Sequence, residues 1–247
     1  MSLLVIKLSD KRGCPIVSNP KLSTFFGRYT YSNFMTILYY KNFSRPLSPQ
    51  SFERYLNIIP NQFAIRIRNF KKWQDAHTCL FGKLLLLKGV SDFNIKKSLH
   101  DIKYNKYGRP YFDHGLIDFN ISHSGSSVVC AVSDEGIIGV DIEEIHPIEI
   151  AGLYNQFRPE EWAIIMSSND KYSQFYTYWT QKEAAIKADG RGLNIPLTNV
   201  LIDKNIVYIE ENTYQLHELH LTSRTKCYLA SKKNIEGIQM QLNVSIV

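Results

Sequence analysis

Hydrophobic positions recur along this chain with two different periods, and each change of period marks out an element. The run MTILYY at 35–40 is rich in β-branched and aromatic residues and predicts a strand. From SPQSFERYLNIIP onward the pattern turns helical, with Ser48 placed to cap and Pro49 in the first helical position. QDAHTCLFGKLLLLKG predicts a long helix over 74–89, closing at Gly89. A turn-rich stretch, YNKYGRPYFDHG, separates it from FNISHSGSSVVCAVSDEGIIGVDIEEI. The last part of that segment reads as a β-hairpin, SSVVCAVS and IIGVDIE about the turn DEG, with Asp141 opposite Val129 and Glu143 opposite Ser127. A one-residue slip would reverse the faces.

Helical spacing returns at FRPEEWAIIM, opened by Pro159, and again over 171–188, where Gly190 and Gly192 stop it. The remaining segments, LNIPL, NVLI, NIVYIEENTYQLHELHL, KCYLASKK and IQMQLNVSI, alternate with period two and predict an antiparallel sheet. The order strand, helices, hairpin, helices, strands predicts an α+β protein with two halves of similar content, without a residue-level repeat. Residues 1–34 show little periodicity and are expected to be an N-terminal extension. The expected divisions after it are 35–145 and 146–247.

Composition narrows this picture only slightly. A hydrophobic fraction of 44% and a charged fraction of 21% in 247 residues suit a folded protein with a sizeable core. The four cysteines are scattered without metal-ligand spacing, which suits a reducing compartment. The first apolar stretch is too short for a signal peptide, and no apolar run approaches membrane-spanning length, so a soluble cytoplasmic protein is expected. A net charge of +6 favours anionic partners without choosing among them.

The chemistry concentrates in a few residues. Asp141 and Glu143 stand two apart on a strand and share a face, where two like charges repel unless a cation lies between them. Trp179, Glu183 and Lys187 recur every four residues on one face of a helix. Each pair has an ordinary reading, as a solvated strand end or a surface i,i+4 pair. The core-like FYTYW before Glu183, however, places that glutamate and Lys187 near buried surface, where unpaired ions are costly. Mg²⁺ beside a phosphate-binding lysine accounts for all four. Tyr107, Gly108 and Arg109 in YGRP offer a turn glycine, close backbone amides and a guanidinium suited to phosphate. Ser122 and His123 in SHSG offer further oxyanion donors. A metal-dependent nuclease or phosphohydrolase remains an alternative, although restriction-type cores place their lysine two residues after the acid. A basic nucleic-acid-binding module is disfavoured, because the basic residues are spread along the chain.

GVDIE and WTQKEAAIK, with forty residues from Glu143 to Glu183, together with YGRPYF, FNISHSG, QDAHTCLFG and DGRGLNIPL in that order, resemble the signature of the 4′-phosphopantetheinyl transferases of the large Sfp (surfactin-synthetase activator) type. The resemblance runs from about Met35 to the C-terminus. It implies a pseudo-dimer of two similar α/β lobes, each an antiparallel sheet packed with helices, with the active site in the cleft between them. It also implies transfer of the phosphopantetheine arm of coenzyme A to a serine of an acyl or peptidyl carrier protein, with release of adenosine 3′,5′-bisphosphate. Nucleic acid and membrane are not implied partners, and a monomer suffices.

By the same resemblance Asp141, Glu143 and Glu183 would hold Mg²⁺, with Mn²⁺ as an alternative, on the CoA pyrophosphate, which Lys187 would also contact. Glu183 would accept the serine proton, with Glu161 a lower-ranked helper. Arg109, Ser122 and His123 would hold CoA phosphates and Arg66 the 3′-phosphate. Three residues before Arg66 relatives can carry a second basic residue, where this chain has Phe63. That departure leaves the grip weaker, or shared with Arg68, Lys71 or Lys72. A basic transferase would also be steered towards the acidic surface of a carrier domain.

Overall fold

The computed structural model describes residues 4–7, 35–235 and 237–245. Its two main sheets have five strands each. The first runs in the order β1 (Leu4–Lys7), β12 (Gly237–Leu242), β2 (Thr36–Asn42), β6 (Ser127–Ser133) and β5 (Asp118–Ser124). The second runs β7 (Ile138–Glu144), β11 (Thr225–Ser231), β10 (Asn212–Glu218), β9 (Ile206–Ile209) and β8 (Val200–Asp203). A small ribbon pairs β3 (Ile102–Tyr104) with β4 (Pro110–Phe112). The helices are α1 (Pro49–Leu56), α2 (Asn61–Arg68), α3 (Trp73–Asp92), α4 (Pro159–Ser167) and α5 (Lys171–Asp189). The protein is therefore of mixed α+β class, with its sheets packed against helices. Beyond the backbone of β1, the expected N-terminal extension lies outside the described residues.

Alternation along the strands sorts the core into layers. Ile37 and Tyr39 of β2 and Val128, Cys130 and Val132 of β6 pack under α3. Their neighbours Leu38, Tyr40, Val129 and Ala131 point the other way, onto Ile138, Val140 and Ile142 of β7 and Leu229 of β11. The far face of the second sheet is covered by Ala184, Ala185 and Ala188 of α5. Two glycines set these spacings. A Cβ at Gly89 would lie 2.6 Å from Val132 Cγ2, and one at Gly139 would lie 2.2 Å from the Ala184 carbonyl oxygen.

Several sequence expectations hold. Ser48 caps α1, accepting from Ser51 N at 3.2 Å. Gly190 ends α5 in the left-handed region at φ 84°. Others are corrected. Gly89 does not end α3, which runs to Asp92; its missing side chain serves packing instead. The hairpin about DEG does not form. β6 pairs with β2 and β5, whereas β7 crosses to the second sheet and pairs with β11, so that Asp141 faces Tyr228 and Glu143 faces Lys226. β6 is buried at every position and needs a neighbour on each edge, and two other strands already supply them. Of the C-terminal segments, LNIPL forms short 3₁₀ turns, and β12 leaves the antiparallel set to run parallel to β2. Sheet membership therefore does not change at residue 145: β7 belongs to the second sheet and β12 to the first.

Candidate active site

The two sheets meet edge to edge at β5 and β7, and side chains make the join. Along β5 the polar residues Asp118, Asn120, Ser122 and Ser124 stand at every second position. Their oxygens accept from the backbone N–H groups of Ile138, Val140, Ile142 and Glu144, at 2.8, 3.0, 3.4 and 3.1 Å. This row satisfies a strand edge that would otherwise present bare donors. It also delivers two serines to two acids: Ser122 Oγ donates to Asp141 Oδ1 at 2.7 Å and Ser124 Oγ to Glu143 Oε2 at 2.7 Å.

α5 lies directly on β7 because Gly139 has no side chain, and Glu183 and Lys187 come down beside the acids. Lys187 Nζ donates to Asp141 Oδ1 at 2.6 Å and to Ser122 Oγ at 2.8 Å. The three carboxylates sense one another. Burial, and then the neighbouring Asp141, push Glu143 up to about 7, with Glu183 adding to the rise and Ser124 and Lys187 opposing it. Glu183 is raised by burial and then by Asp141, against Lys187. Asp141 is only 3% exposed, and its Oδ2 is buried with no hydrogen-bond partner. Among the described residues no group of three or more acidic, histidine or cysteine side chains stands in an arrangement that could hold a metal ion as it is. Yet Glu143 and Glu183, both raised, and Asp141, with its orphaned buried oxygen, form a donor set that fits a hard divalent cation.

Beside these acids opens a cavity of about 460 Å³, walled by α2, α3, the β3–β4 ribbon, β5 and the end of α5. Arg66, Lys83, Arg109, His123 and Lys187 line it, as do Tyr107 and Gly108. Crowding by surrounding protein, and then the Lys187 charge, lower the pKa of His123, although its ring reaches the surface; Asp75 and Asp141 pull the other way.

The predicted residues thus share one site, but several already have partners in the protein. The Arg109 guanidinium clasps Asp118 with two nitrogens, at 3.1 and 2.6 Å, and donates to the carbonyls of Lys187 and Ile138. In the YGRP turn the amides of Tyr107 and Arg109 donate to Asn105 Oδ1 and that of Gly108 to the Asn105 carbonyl, so all three are used inside the turn. Gly108, at φ 88°, is open on its outer side. Glu161 is held elsewhere: it pairs with the fully buried Lys182 at 2.7 Å and accepts from Arg158 N at the start of α4. Sequence reasoning missed Lys83, which reads as an isolated charge in an apolar helix. Its signal was its spacing of one turn from Cys79, on the face α3 turns to the cavity.

Lys187, bonded to Asp141, thus joins the acidic cluster to a cation-lined cavity that suits a phosphorylated ligand. The comparisons give the family. Residues 137–242 match the family model of the 4′-phosphopantetheinyl transferase superfamily, and residues 45–135 match that of the 4′-phosphopantetheinyl transferase N-terminal region. The chain is 34% identical over 191 residues to the 4′-phosphopantetheinyl transferase gsp of Aneurinibacillus migulanus, covering 74% of this chain and 73% of that one. It is 32% identical over 202 residues to 4′-phosphopantetheinyl transferase Sfp of Bacillus subtilis, covering 79% and 86%. A more distant match is the L-aminoadipate-semialdehyde dehydrogenase-phosphopantetheinyl transferase of Rattus norvegicus, 31% identical over 155 residues and covering 56% and 50%. The chain belongs to the 4′-phosphopantetheinyl transferase superfamily and is of the Sfp type.

Proposed function

We propose that this enzyme transfers the 4′-phosphopantetheine moiety of coenzyme A to a serine of an apo acyl or peptidyl carrier protein, releasing adenosine 3′,5′-bisphosphate. The observation that carries the reading is that Lys187 both lines a cation-lined cavity and bonds to Asp141, beside which Glu143 and Glu183 stand. Two lobes, one about each sheet, would bind CoA in the cleft between them, and a monomer would suffice. Carrier proteins are the expected macromolecular partner, with no role for nucleic acid or membrane. Among the described residues no helix is long and apolar enough to cross a bilayer, in keeping with a cytoplasmic enzyme.

Asp141, Glu143 and Glu183 would hold the divalent cation, Mg²⁺ or Mn²⁺, which when bound neutralises the pyrophosphate and the charge growing on it. Ser122 and Ser124 fix two of these acids from β5. Lys187 keeps its ammonium at the same place and meets negative charge as the bisphosphate departs. The bond formed is from the carrier serine oxygen to the β-phosphorus, and the bond broken joins that phosphorus to the bridging oxygen. Glu183 would take the serine proton. Arg109, Tyr107 and Gly108 act through the wall they build: the Asp118–Arg109 clasp locks the turn to the C-terminal end of α5, and Gly108 leaves room for the ligand. Ser122, bonded to Lys187, and His123, in the cavity wall, would border the phosphates, and Arg66 would meet the 3′-phosphate.

The test is intact-mass spectrometry of apo carrier proteins incubated with the enzyme, CoA and Mg²⁺. A gain of about 340 Da, the arm delivered by phosphoryl transfer, which EDTA abolishes and excess Mg²⁺ restores, is the expected result. No gain on any acyl or peptidyl carrier, with no CoA binding by calorimetry, would sink the reading.

A further inference from the structure

Two of the cavity's cations differ from the rest. Arg109 is paired with Asp118 and Lys187 with Asp141, whereas the side chains of Arg66 and Lys83 make no hydrogen bond or ion pair among the described residues. Arg66 lies on α2, one turn after Phe63, and Lys83 on α3. The Lys83 ammonium is 5.4 Å from the centroid of the Phe63 ring. Phe63 packs against the core, so this seat holds the lysine head over the α2 turn that also carries Arg66. A half-buried lysine held over a ring, with no carboxylate of the described residues in ion-pair contact, is poised for an anion from outside the protein.

We propose that Lys83 completes the grip on the terminal 3′-phosphate of coenzyme A that the family resemblance gives to Arg66, supplying from α3 the charge that Phe63 does not supply from α2. The inference rests on the CoA-dependent reading above. A phosphate monoester carries nearly two charges and three acceptor oxygens, which suits a guanidinium fork and an ammonium converging from two helices. The other candidates for sharing this grip are placed elsewhere. Arg68 pairs with Glu53, and Lys71 and Lys72 are exposed at the start of α3 and do not line the cavity.

The test compares CoA with 3′-dephospho-CoA as donors to one apo carrier protein. Lys83→Met, which keeps the stem over Phe63 and removes the charge, should reduce the preference for CoA about tenfold, the loss of one charge-assisted hydrogen bond. The change should appear in KM with kcat retained. Lys83→Arg should restore most of the preference, and equal melting temperatures would show that all three proteins are folded. An unchanged CoA preference in Lys83→Met, or an equal loss of kcat on both donors, overturns the inference alone. Failure of the wild-type enzyme to transfer from either donor overturns the CoA reading and the inference with it.

Discussion

At one end of the cavity Lys187, Ser122 and Asp141 hold one another through bonds of 2.6–2.8 Å, and at the other Arg66 and Lys83 meet no acid among the described residues. The first end is half-buried to buried and stitched to two sheets and a helix. The second stands on two helices, with Arg66 exposed. The contrast matches two kinds of work. Groups that handle developing charge must be in position before the reaction, because reorganisation at that moment raises the barrier. Groups that recognise a substrate phosphate need only be unpaired and close, since the anion itself completes the arrangement.

The sharpest way to break this comparison is at the acids. Glu183→Gln removes a charge and a proton acceptor but keeps the shape, and should cost about 10³-fold in kcat/KM while the protein still folds. A loss of less than tenfold in the carrier assay would mean that the buried end is scaffolding. Gly139→Ala comes next. Its methyl would press on the Ala184 carbonyl and the Ala188 amide, so α5 must lift from β7. We expect a destabilisation of about 3 kcal/mol in urea, with activity falling because Glu183 and Lys187 ride on the displaced helix. Retained stability with lost activity would instead assign Gly139 to ligand contact.

Arg109 tests whether a predicted phosphate ligand has become part of the frame. Its clasp on Asp118 is mostly buried, with both side chains 14% exposed, and Asp118 also accepts from Ile138 N. Arg109→Met and Asp118→Asn should each cost about 2 kcal/mol, and the double variant much less than their sum. Additive losses, or a loss confined to the KM for CoA, would return Arg109 to ligand binding.

Much of the site could be read from spacing. Asp141 and Glu143 at i and i+2, and Glu183 and Lys187 at i and i+4, do meet, because strand and helix periods fix faces irrespective of tertiary context. The partner strands could not be read in this way. DEG between two apolar runs looks like a hairpin turn, but hairpin formation also needs a free edge, and β2 and β5 had taken both edges of β6. The return of β12 to lie parallel to β2 has no local signal at all, since the choice of edge is made by the assembled core. Asn120, Ser122 and Ser124 alternate along the sequence, but only Ser122 stands out there, as an oxyanion donor. That they bond to the β7 backbone follows only once β7 is known to lie beside them.

The smallest predicted effect is informative because it separates charge from position. Arg68 is two residues from Arg66 and carries the same charge, but it faces outward and pairs with Glu53 at 2.7 Å on an exposed surface. Such pairs contribute little, since water screens them and ordering two long side chains has an entropic cost. Arg68→Ala should therefore leave the melting temperature and the CoA to 3′-dephospho-CoA preference unchanged, measured beside Lys83→Met. If the two variants lost preference alike, net positive charge on the α2–α3 surface would be sufficient, and the seat over Phe63 would have no part in recognition. If only Lys83→Met loses it, the direction in which the cation points decides the binding. The open end of the cavity would then be as specific as the stitched one, with its order supplied by the ligand.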